Sequence, residues 1–191
     1  MKLNEEDVEL FFKLSGALLF YTNQKYPVTK NLKEPVFKDI PPADIKSLYE
    51  RLSSHTELID YFVDENPFSF TQEELEIVKS WNNLVKGKFM IMFYLRDYTA
   101  FMSVSNKQKV YGVISLQDKI RDVIPPSLPQ YVETILLPFR GKIIYCGYIY
   151  GYDVRIDENL KRILKEWYHQ ARRKFGIITS LDESTSERTR K

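Results

Sequence analysis

The run Phe89-Met90-Ile91-Met92-Phe93-Tyr94-Leu95 decides how the chain is read. It is unbroken in apolar residues, rich in β-formers and too short for a helix of its own, which predicts a strand buried on both faces and central in a sheet. Residues 98–104 and 109–116 alternate apolar and polar positions around Ser105-Asn106-Lys107-Gln108, the pattern of a hairpin in an antiparallel meander. Residues 117–129 show a short helical pattern in Ile120, Val123 and Ile124 and then three prolines, which predicts a crossing at one end of the sheet. Residues 131–137 and 142–150 supply two more strands about Pro138-Phe139-Arg140-Gly141. Pro138 cannot donate to a ladder, so it is expected at a strand end or an edge. Five short antiparallel strands give either an open sheet or a small barrel.

Upstream of this run the apolar period is helical. Asn4 and Asp7 resemble an N-cap pair for a helix over 5–22, striped by Val8, Phe11, Leu14, Leu18 and Tyr21. Residues 26–42 carry four prolines without periodicity and read as a long surface loop. A helix then starts near Pro42, with Ile45, Leu48, Tyr49 and Leu52 as its apolar stripe. Ser54 with Glu57 predicts a capping box for a short helix ending before Pro67, and Thr71 with Glu74 predicts another for a helix stopped by Gly87. At the far end Asp157 caps a helix to Gly176, striped by Leu160, Ile163, Leu164, Trp167, Ala171 and Phe175, with Trp167 expected to be buried at its centre. Residues 182–191 hold no apolar group and are expected to be disordered. The fold class expected is α+β: a helical N-terminal part over 1–86, packed as a layer on a five-stranded antiparallel sheet or small barrel over 87–181 that the C-terminal helix closes.

Composition narrows the chemistry. One cysteine, Cys146, and two histidines, His55 and His169, leave no disulfide and no zinc set, so no metal or other cofactor is expected and a reducing, cytoplasmic setting is. The start of the chain is acidic and no apolar run is long enough for a signal core or a membrane span, so no membrane partner is expected. Charge divides unevenly: residues 1–86 carry 10 Lys and Arg against 15 Asp and Glu, and residues 87–191 carry 18 against 11. Opposite signs favour packing of one part on the other, or leave the second part a basic binding face.

Two surface constellations stand out. Lys161, Arg162, Lys165, Arg172 and Arg173 fall opposite the apolar stripe of the last helix; they form either a face for an anionic partner or an ordinary solvated helix face. Tyr148, Tyr150 and Tyr152 share one side of the last strand if it stays extended, giving either a stacking row for bases or simple sheet packing. No catalytic set is found. Cys146 and His169 are a Cys and His pair in type, but Cys146 lies inside an apolar strand. Glu133 is the one acid within a strand, and Asp153 or Asp118 would have to join it to hold a metal.

Val110-Tyr111-Gly112-Val113-Ile114, Pro129 before Tyr131-Val132, and Leu136-Leu137-Pro138-Phe139-Arg140-Gly141-Lys142-Ile143-Ile144-Tyr145 together resemble a family of uncharacterised bacterial and archaeal proteins. Ile177-Ile178-Thr179-Ser180-Leu181 looks like that family's usual ending, and the resemblance covers roughly 88–181. An acidic residue is common in the family where Cys146 stands, and the resemblance implies no chemistry. The expected function is a non-enzymatic interaction or regulatory module. A protein partner stands first and nucleic acid second; the alternatives are a metal-dependent enzyme on nucleic acid and a structural subunit of a larger assembly.

Overall fold

The computed structural model describes residues 1–124 and 127–181, so the expected disorder of 182–191 lies outside the described residues. The protein is α+β and divides into two compact units, Asn4–Leu84 and Met1–Leu3 with Val85–Lys191. Among the described residues no helix is long and apolar enough to cross a membrane.

The first unit is helical: α1 (Glu5–Lys25), α2 (Pro42–Ser54), α3 (Glu57–Glu65), α4 (Gln72–Ser80) and a 3-10 turn at Trp81–Asn83. Asn4 caps α1 by accepting from the Asp7 N–H at 2.7 Å. Thr71 and Glu74 form both halves of the expected capping box, satisfying two N–H groups that the first turn of α4 leaves open. The box predicted from Ser54 and Glu57 does not form. Ser54 is instead the last residue of α2, its hydroxyl donating to the Glu50 carbonyl, and Thr56 precedes α3 in helical geometry. Phe11, Leu14, Leu18, Leu48, Phe62 and Trp81 are buried in this unit. The proline-rich stretch before α2 is not merely a surface loop: Leu32 and Ile40 are buried within it, and the Pro35 carbonyl lies against Gly16 of α1.

The second unit is built on β1 (Val85–Tyr94), β2 (Thr99–Ser103), β3 (Val110–Ile114), β4 (Gln130–Phe139) and β5 (Lys142–Tyr145), with a single turn α5 (Ile120–Val123) between β3 and β4. The order is β1-β2-β3-β5-β4, and β1 also pairs with β4 from Val85 opposite Leu136 to Ile91 opposite Gln130. Pairing at both edges closes the five strands into a barrel. The sheet is mixed, which corrects the all-antiparallel expectation. The chain crosses after β3 and runs back through β4, so β5 rises in the same direction as β3 and pairs with it in parallel at Val113–Ile143 and Ile114–Ile144.

Ten-residue β1 can serve two neighbours because a bulge at Met92, between the pairs Ile91–Phe101 and Phe93–Ala100, bends it round the barrel. Strand alternation sets Phe89, Ile91 and Phe101 on one face, and the Phe89 ring lies 6.0 Å from those of Phe101 and Tyr111. Pro138 sits one residue from the end of β4, beyond Leu136, the last residue paired to β1, so the β1 ladder asks it for no donor.

After β5 the expected long strand breaks. Gly147 takes φ +95°, and the chain pairs again only at β6 (Tyr150–Gly151), beside Val132 and Glu133 of β4. The last helix, α6 (Glu158–Phe175), starts at Asp157, whose carboxylate accepts from the Leu160 N–H at 2.8 Å, and ends at Gly176 with φ +71°. Next, β7 (Ile177–Ile178) pairs in parallel with Val110 and Tyr111 of β3. Tied down at both ends, α6 lies on the barrel strands and buries Leu164, Tyr168 and Ala171 against Met90, Met102 and Val110.

The helix is rotated from the predicted stripe. Tyr168 is 2% exposed, whereas Trp167, expected at the buried centre, is 42% exposed. Leu160 is also exposed, at 36%.

Candidate ligand-binding site

The rotation of α6 opens the site. Between α6 and the barrel a half-open groove of about 810 Å³ remains, lined on the helix side by the exposed Leu160 and Trp167. Met90, Met102 and Tyr131 form its floor. One wall is the β2–β3 hairpin, with Val104, Ser105, Asn106 and Gln108; the other is the α6 side, with Val154, Leu160 and Trp167. The volume is in the range of small-ligand pockets, and two methionines on the floor make it adaptable to the shape of an occupant. Val104 and Val154 are 50% and 48% exposed, so apolar surface is left open on both walls.

On the other side of the same hairpin lies a smaller trough of about 330 Å³, sharing Ser103, Val104 and Ser105 with the groove. Lys86 and Lys88 of β1, two residues apart and so on one face of the strand, line it together with Lys107 and Lys109 of the hairpin. Among the described residues none of these four lysines has a carboxylate within 4.0 Å.

Aromatic rings continue from the trough. The Lys88 ammonium lies 5.1 Å from the centroid of the Tyr152 ring, and Tyr152 in turn lies 5.0 Å from both Tyr131 and Tyr150. The Tyr152 hydroxyl donates to the Glu133 carboxylate at 2.5 Å, and this bond pushes the phenol up to about 12. It also fixes the ring. Tyr150 stays half exposed at the outer end.

The structure disperses the sequence-predicted residues. Lys161 is paired with Glu158 at 2.6 Å and Arg162 with Glu166 at 2.9 Å, so part of the basic face of α6 is neutralised within the helix, while Lys165, Arg172 and Arg173 stand exposed. The tyrosine row does not persist: Tyr150 and Tyr152 touch, but Tyr148 lies outside β6 and its hydroxyl is buried. Cys146 is 1% exposed, with the Thr134 hydroxyl and the Tyr148 carbonyl each 3.9 Å from its sulfur. Burial pushes the thiol up to about 11, and His169 lies exposed on α6. Glu133 is held by Tyr152, and among the described residues no group of three or more His, Cys, Asp or Glu is placed to hold a metal.

The native protein is accordingly expected to resist alkylation of Cys146 by iodoacetamide at about pH 8, where an ordinary thiol reacts readily, and to label only on unfolding. Fast labelling of the folded chain would show that the thiol is reachable. Sequence reasoning missed the lysine trough because its four members come from two separated segments. The signal present was the repeat Lys86-Gly87-Lys88, which sets two lysines on one face of β1, and the same spacing Lys107-Gln108-Lys109 in the hairpin loop.

No protein-family model, curated protein or solved structure matches the chain.

Proposed function

We propose that the barrel unit is a non-enzymatic binding module whose ligand surface lies on the two sides of the β2–β3 hairpin. The observation that carries this reading is the groove under α6, where Val104, Val154, Leu160 and Trp167 are 36–50% exposed around a concave floor rather than packed away. The ionisable groups support binding over chemistry: Cys146 is buried, Glu133 is engaged by Tyr152, and the lysines converge on a trough that holds no acid.

The test uses anilinonaphthalene sulfonate, an anionic apolar dye, with Trp167 as energy donor; the other tryptophan, Trp81, is buried in the helical unit. The folded protein should bind the dye saturably with quenching of Trp167. Leu160→Asp should abolish binding while leaving the far-UV circular dichroism unchanged, because the residue is exposed. Equal dye binding by Leu160→Asp would sink the reading.

A further inference from the structure

We propose that the lysine trough and the adjoining tyrosines form a site for single-stranded nucleic acid, with phosphates held by Lys86, Lys88, Lys107 and Lys109 and a base stacked on Tyr150. The proposal rests on the reading of the barrel unit as a binding module and names its ligand.

Four lysines line one concavity of about 330 Å³, and no acid lines it with them. Such a surface draws a polyanion and releases counterions when the polyanion binds. The rings beyond the lysines select among polyanions. The path from Lys88 runs over Tyr152, and Tyr152 adjoins both half-exposed Tyr150 and Tyr131, itself part of the groove floor. Aromatic faces beside a cationic track are what unstacked bases recognise.

Glu133 sharpens the assignment. Its carboxylate holds the Tyr152 hydroxyl and so fixes the central ring, and the rings on either side offer apolar faces to a neutral base. A duplex keeps its base faces stacked and would use the lysines alone. An acidic peptide would do the same.

The experiment measures fluorescence anisotropy of a fluorescein-labelled oligothymidylate of about 12 nucleotides on the full chain, with sodium chloride varied over roughly 50–200 mM. The expected plot of log affinity against log salt is linear with a slope of about −2 to −3, from roughly 0.7 per phosphate contact on a single strand. Lys107→Glu with Lys109→Glu should flatten that slope by more than 1, since two phosphate contacts are lost. Tyr150→Ala should weaken binding about tenfold with the slope unchanged, because stacking carries no counterion. Poly-glutamate should compete poorly, and duplex DNA of equal length should bind more weakly than the single strand.

No binding by the wild type at the lowest salt overturns the proposal, and so does an affinity indifferent to Tyr150→Ala. Effective competition by poly-glutamate would overturn it too, making the trough a site for an acidic protein segment. The poly-glutamate and duplex comparisons use the wild-type protein and need no variant to fold. Failure here leaves dye binding in the groove intact, whereas loss of the dye result removes the binding-module reading itself.

Discussion

Replacing Tyr168 by alanine is expected to lower the stability of the protein by about 3–5 kcal/mol in urea unfolding, whereas the same change at the neighbouring Trp167 costs about 1 kcal/mol or less. Tyr168 is 2% exposed, and its ring meets Phe93 edge-on at 4.8 Å. It also joins the cluster that seats Leu164 and Ala171 on Met90, Met102 and Val110. Removing it leaves a cavity beneath α6 that the strands cannot fill, because β1 and β2 are held in register on both sides. Trp167 is the larger and more apolar residue, but it is 42% exposed on the wall of the groove. A substantial loss from Trp167→Ala together with a slight one from Tyr168→Ala would place the other face of α6 on the barrel and erase the groove.

The contrast shows what the sequence of α6 left undecided. Leu164 and Ala171 stand two turns apart, and either Trp167 or Tyr168 completes a helical stripe between them. Hydrophobicity favours tryptophan. Period alone cannot choose between residues about 100° apart on the wheel. The choice is made by the surface opposite, where Phe93 offers an edge to the tyrosine ring, and that surface exists only once the strands have closed.

The strands themselves were legible because each carries its own local pattern, from the apolar run of β1 to the hairpin around residues 105–108. Barrel closure was not. It depends on ten residues of β1 serving β2 and β4 at once and on the bend at Met92, and no feature of the run at 89–95 distinguishes a flat central strand from one that curves back on itself. The parallel β3–β5 pair was hidden for the same reason: it joins segments separated by the whole of α5 and β4. The candidate site inherits both difficulties. Its lysines come from β1 and from the hairpin, and the exposed apolar walls of the groove read, in one dimension, as ordinary core.

Gly16→Ala is expected to destabilise the helical unit by about 3 kcal/mol, against the usual gain of about 1 kcal/mol for replacing a helical glycine by alanine. A Cβ at Gly16 would stand 2.4 Å from the Pro35 carbonyl oxygen and 3.1 Å from its carbon, a separation that requires the backbone of residues 35–36 to move. That backbone is not free to yield. The stretch containing it buries Leu32 and Ile40, and Asn23 of α1 anchors it by accepting from the N–H groups of Val28 and Thr29 at 2.8 and 3.0 Å. Further along, Thr29 and Asn31 both donate to Asp44 of α2, tying the stretch to the next helix. Displacing it would therefore strain contacts at both ends. The expected results are a lower urea midpoint and faster proteolysis within residues 26–41, with the helical circular dichroism largely kept. An alanine variant as stable as the parent or more so would show that helix propensity prevails and that the proline-rich stretch does not rest on α1 at Gly16.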